Sequence, residues 1–193
     1  MTNDVYDVVI RGGTVVTEDG VQLADVAVTS GRIAALLTPG TETAASEVIE
    51  ASGLHVLPGA VDIHFHVRAP AYPERGTVSS ETKAAAAGGV TTLFEMPISK
   101  PCCATPEVFR SRRDLFAEQA YVDFALYGAP GTLDPLNVAG MVEEGAIGFK
   151  IFMTEAPKGR DDEFIGLCLP QEGPLLEALH LVADSGLVTS VHA

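Results

Sequence analysis

Leu54-His55-Val56-Leu57-Pro58-Gly59, followed after one residue by Val61-Asp62-Ile63-His64-Phe65-His66-Val67-Arg68, is where this chain changes character. The first run is short, apolar and stopped by a Pro-Gly breaker, so the second opens a new structural unit. Residues two apart on a β-strand point to the same side, which would let His64 and His66 deliver both imidazoles to one ion. A His-x-His pair alone fits an exposed pair, or a buried strand with hydrogen-bonded imidazoles, equally well. Further ligands must decide.

Upstream of the break, residues 1–57 carry short β-type runs: Val8-Val9-Ile10, Thr14-Val15-Val16, Val26-Ala27-Val28 and Ile33-Ala34-Ala35-Leu36. Gly12-Gly13, Gly20 and Ser30-Gly31 break them, which predicts a small all-β module. Ser30-Gly31 is a compact hairpin signal, and the small polar residues from Pro39 to Ser46 read as a loop.

Downstream, residues 58–193 alternate apolar strands with helical stretches, the pattern of βαβ units on a parallel sheet. Five strands are predicted, at 60–66, 90–96, 122–127, 146–152 and 187–192. Between them lie helices at 80–87, 106–119, 135–144 and 174–185, with Pro at or near the start of the last three and Gly after the end of all but the second. A (β/α)8 barrel needs about 250 residues, so about five of its eight βα units are present. The last strand runs directly into Ala193 with no following helix, and a truncated chain is the expectation. A complete open sheet of five parallel strands would need helices on both faces and cover for its final edge.

With 47% hydrophobic residues over 193 positions, the chain has material for a sizeable core. No apolar run approaches the roughly 18 residues of a membrane span. Met1-Thr2-Asn3-Asp4 lacks the basic start of a secretory signal, so a cytoplasmic protein is expected. A net charge of -14, from 26 acidic and 12 basic residues, opposes phosphate backbones and anionic lipid alike, and neither nucleic acid nor membrane is expected as a partner. Cys102, Cys103 and Cys168 are odd in number and lack zinc-finger spacing; they read as reduced thiols serving as small apolar residues near a barrel rim.

In such a barrel the functional residues sit at the C-terminal ends of the strands. His64 and His66 end the first strand, Lys150 lies in the fourth, and His192 ends the fifth. A lone lysine within Gly148-Phe149-Lys150-Ile151-Phe152 is costly unless paired or neutralised. It forms either a structural salt bridge or a neutral lysine used as nucleophile, base or modified ligand. His55 and His180 read as structural histidines, and Asp62 as a structural partner of the histidine strand. The run Lys158-Gly159-Arg160-Asp161-Asp162-Glu163 reads as a solvated loop, with a mobile lid as the alternative.

The ordered set Pro58-Gly59-x-Val61-Asp62-x-His64-x-His66-x-Arg68, Lys83-Ala84-Ala85-Ala86-Ala87-Gly88-Gly89-Val90-Thr91-Thr92, Glu95-Met96-Pro97, Gly148-Phe149-Lys150 and Val191-His192-Ala193 resembles the cyclic amidohydrolases, the group of dihydroorotases, allantoinases and hydantoinases. The resemblance covers essentially the whole chain. It implies a hydrolase with two divalent metal ions, usually zinc, on a TIM barrel preceded by a small β-sandwich. Residues 1–57 would supply the N-terminal part of the sandwich and residues 58–193 a partial barrel.

Carried over by motif, His64 and His66 would bind one metal and His192 the second. Lys150, carboxylated by carbon dioxide, would bridge both as a carbamate, turning a costly buried cation into a shared oxygen donor. The metals would activate water against a ring amide. The family's proton-donating aspartate and a further histidine are expected beyond Ala193, so no catalytic acid is assigned here, and a chain lacking them is expected to be inactive by itself. A homo-oligomer is expected of the full-length protein.

Arg68 follows the His-x-His strand as in dihydroorotases, where it pairs with a substrate carboxylate; a rim salt bridge with an acid such as Glu74 is the plainer alternative. The continuation Arg68-Ala69-Pro70-Ala71 and Ile98 after Met96-Pro97 depart from the dihydroorotase pattern. The small cyclic substrate is therefore expected to be dihydroorotase-like or allantoinase-like, with a hydantoinase or dihydropyrimidinase as the alternative. A non-catalytic scaffold relative would have little use for four such ligands.

Overall fold

The computed structural model describes residues 5–193, and the chain divides into two compact units, Met1–Pro58 and Gly59–Ala193. The opening Met1-Thr2-Asn3-Asp4, read above for its lack of basic residues, lies outside the described residues.

The first unit is one five-stranded sheet built around β1 (Tyr6–Thr17). Strands β2 (Gly20–Thr29) and β3 (Arg32–Leu37) follow it in antiparallel order. On its other edge β4 (Ala45–Glu50) and β5 (His55–Val56) pair parallel to its two halves. The expected hairpin is present, with Ser30 and Gly31 both at positive φ, as a turn matched to strand twist requires. Gly12-Gly13 does not end a strand as predicted. The register slips between Ile10 and Gly13, a bulge that bends β1 without breaking it. The Gly12 N–H donates to Oδ1 of Asp25 at 2.7 Å, and Asp25 is buried. The expected loop at 39–46 is also shorter than predicted, because β4 begins at Ala45. Val15, Ala24 and Val26 form the core of this unit.

In the second unit the predicted alternation holds. Strands β6 (Ala60–Phe65), β7 (Val90–Glu95), β8 (Asp123–Gly128), β9 (Gly148–Phe152) and β10 (Val188–His192) form one parallel sheet in chain order. Helices α1 (Val78–Ala87), α2 (Pro106–Gln119), α3 (Pro135–Glu143) and α5 (Glu172–Asp184) connect them, and a short α4 (Asp161–Phe164) follows β9. Local chemistry starts these helices. Thr77 and Ser80 form a reciprocal capping box on α1, and Thr105 and Asp134 cap α2 and α3 ahead of a proline in the first turn. The last long helix begins two residues before Pro174, at Glu172.

The connecting helices α1, α2, α3 and α5 pack on one face of the sheet. Leu93, Leu126 and Phe149 meet Phe109, Phe116, Val138, Met141 and Val182 there in the main core. The result is half of a barrel wall: a curled parallel sheet with these four helices outside and its other face free of them. Among the described residues no helix is long and apolar enough to cross a membrane.

Candidate functional site

Strand alternation decides which residues reach the helix-free face. Phe149 and Ile151 pack into helix-side cores, so Lys150 between them points the other way; likewise Phe65 packs outward, and its neighbours His64 and His66 face inward. The register pairs Ser190 with Lys150 and His192 with Phe152. The His192 ring stacks on Phe152 at 4.6 Å between centroids.

His64 and His66 stand 5.2 Å apart, ring centroid to ring centroid. His66 lies one residue past the end of β6. Asp62 takes the structural part expected of it, its Oδ1 accepting the His64 N–H at 2.9 Å. A cavity of about 310 Å3 is lined by His64, His66, Arg68, Glu155 and His192 among others. Three of the predicted ligands and Arg68 therefore share one cavity at the strand ends; Lys150, on β9, is not part of that lining. Among the described residues no three His, Cys, Asp or Glu side chains form a closed metal cluster. The site is brought together in kind, with His192 on the strand furthest from the His-x-His pair.

Its electrostatics favour neutral bases. Burial, and then the Lys150 charge, lower the His64 pKa. His66 keeps an open side, yet the packed atoms around its ring, helped by His64 and Arg68, push it down to about 4. Lys150 is buried, and that desolvation alone lowers its pKa. Its ammonium lies 3.5 Å from Ser190 Oγ and 5.1 Å from the centre of the Phe152 ring. No carboxylate pairs with it among the described residues, so the structural salt bridge is not what holds it. His55 lies exposed on β5, and His180 lies exposed on α5 outside the cavity lining. Cys102 and Cys103 are buried, as small apolar residues would be, and burial raises both thiols.

Two acids that sequence reasoning left without a role hold the site in place. Glu95, buried at the end of β7, accepts from the backbone N–H of Val67 at 3.1 Å and of Arg68 at 3.4 Å. It also pairs with Arg112 of α2 at 2.6 Å. Burial raises Glu95 to about 7 against the pull of that guanidinium. The signal was available: an acid inside Leu93-Phe94-Glu95-Met96 raises the same question as Lys150.

The run 158–163 is mostly exposed, as read, but Glu163 is an exception. Asp161–Phe164 form a helical turn, and Glu163 is 1% exposed. Its carboxylate accepts from Arg160 at 2.5 and 2.8 Å and from the Tyr72 hydroxyl at 2.6 Å. Arg68 approaches it at 3.9 Å, so the acid facing Arg68 is Glu163 and not Glu74. The Arg160 bonds foremost hold Glu163 at about 2. A carboxylate depressed below its ordinary 4.5 stabilises the fold above that value and loses the contribution as pH falls from 4.5 towards 2. The melting-temperature advantage of the native chain over Glu163→Gln should thus be full at pH 6 and largely gone by pH 2.5, as calorimetry across that range would record.

The chain is similar over nearly its whole length to allantoinases and hydantoinases. Among its relatives, an allantoinase from Bacillus velezensis is 37% identical over 191 residues, covering 97% of this chain and 40% of the relative. An L-hydantoinase from Paenarthrobacter aurescens is 34% identical over 192 residues, 98% of this chain and 40% of the relative. The solved L-hydantoinase (dihydropyrimidinase) from Arthrobacter aurescens superposes with a TM-score of 0.86 at 34% identity, over 98% of this chain and 41% of that structure. The chain thus spans about 40% of the length of these relatives. No protein-family model matches it.

Proposed function

We propose that the protein carrying this chain opens a small cyclic amide or ureide ring by hydrolysing a carbon–nitrogen bond. The observation that carries the reading is the gathering of His64, His66 and His192 around one cavity, with Lys150 buried on β9 nearby and without a carboxylate partner among the described residues. We read the five-stranded wall as part of a (β/α)8 barrel acting in the cytoplasm, residues 58–193 being its first units and residues 1–57 a part of a β-sandwich.

The donor set fits two divalent ions, zinc being the natural choice for imidazole with oxygen donors. His64 and His66 would hold one, His192 the other, and Lys150 as a carbamate would join them. Bound there, the ions would supply Lewis acidity and an activated water. The chain's own residues do the rest. Neutral imidazoles keep their lone pairs free for ligation, and Asp62 and Glu95 fix the backbone around the histidine pair. Arg68 offers guanidinium N–H groups to a ring carbonyl at the cavity wall. The names of the relatives favour a ureide ring over dihydroorotate.

Metal analysis of the complete gene product, with ring-opening assays on allantoin, hydantoins and dihydroorotate, tests the reading. About two equivalents of divalent metal and turnover of at least one ring are expected. Absence of both would leave the scaffold alternative standing.

A further inference from the structure

We propose that Glu163 is a specificity-determining residue that turns this site away from rings carrying a carboxylate. The inference rests on the ring-hydrolysis reading above.

Arg68 by itself would invite an anion, since a guanidinium forks onto a carboxylate with two parallel hydrogen bonds. In this chain its charge is already engaged. Arg68 Nη1 lies 3.9 Å from Glu163 Oε2, and Glu163 has no freedom to leave, because Arg160 grips both its oxygens and Tyr72 donates to one. The loop supplying Arg68 and Tyr72 is bent to the same purpose. Both residues have left-handed backbones, φ 57° and 59°, which side chains other than glycine adopt only when the surroundings hold them there. Both send their side chains to Glu163.

Neither Arg160 nor Glu163 lines the cavity, but Arg160 is one-third exposed, so water screens its charge more than that of Glu163, which is 1% exposed. A second carboxylate, Glu155, lines the cavity itself. A ring carboxylate entering here meets a guanidinium whose charge Glu163 already offsets, and the exposed carboxylate of Glu155 on the cavity lining. A neutral ureide carbonyl meets no such opposition: of the five N–H donors of Arg68, the Glu163 contact engages one nitrogen and leaves others for the ring.

The test is the ratio of kcat/KM for dihydroorotate to that for allantoin or hydantoin, whichever neutral ring is turned over, measured in the full-length, metal-loaded protein. Glu163→Gln keeps the shape and removes the charge, and should raise the ratio at least tenfold. Arg160→Gln frees Glu163 to lean on Arg68 and should lower it several-fold, an opposite shift that general loosening of the loop would not produce. A ratio unchanged in both variants, or moving the same way in both, overturns the inference while leaving ring hydrolysis intact. A native protein that turns over neither ring overturns the ring-hydrolysis reading and this inference with it. Should Glu163→Gln not fold, the direction of the Arg160→Gln shift decides alone.

Discussion

Lys150→Met should leave the fold standing and empty the site. The native ammonium is buried against Phe152 and Ser190 with no carboxylate partner among the described residues, so an apolar side chain of similar length removes a desolvation cost and fills the same space. The metal-free variant should melt no lower than the metal-free native protein. Under the proposed chemistry it should also lose most of its bound metal and at least a thousandfold of its ring-opening rate, because Lys150 is the residue that would join the two histidine groups. Calorimetry after chelation, elemental analysis and turnover read the three effects separately. A variant that keeps its metal and its rate would remove Lys150 from the site.

Arg112→Met should do the reverse, harming the fold first. It strips Glu95 of its ionic partner in a fully buried setting, and breaking one side of such a pair costs about 3–5 kcal/mol. Denaturant unfolding of the native and variant proteins should show this as a lower midpoint with little change in slope. Adding Glu95→Gln should recover much of the loss, since a glutamine carbonyl still accepts from Val67 N–H without burying a charge. If the double variant were no better than the single, the ion pair would not be the source of the cost.

The strands and helices of the second unit were readable because their signals are local. A proline at the first turn, a threonine or aspartate cap and a glycine after the last turn each act within four residues. The metal-type residues were readable for a related reason, since polar groups at the inward ends of apolar strands are expensive enough to demand an explanation. What escaped depends on distant partners. Gly12-Gly13 looks like a break until Asp25 is there to accept the freed N–H. The strand at Ala45–Glu50 is mostly exposed and acidic and becomes a strand only by pairing with β1. Glu163 sits in a charged run typical of a solvated loop, and its burial comes from Tyr72, 91 residues earlier in the chain.

The agreement between strand order and chain order also bears on how the half-barrel forms. Each parallel partner arrives between 21 and 40 residues after the strand it joins. Loop-closure cost rises by only about 0.6 kcal/mol per doubling of length, so every addition to the growing edge faces nearly the same entropic step. Parallel pairing is intrinsically slow, and in the second unit each pairing is confined to consecutive strands. The wall can be laid down one strand and one helix at a time, in the order of synthesis, with the outer core sealing behind each addition. His64 and His192, on the first and last strands of that sequence, come to face one cavity only when the last has docked.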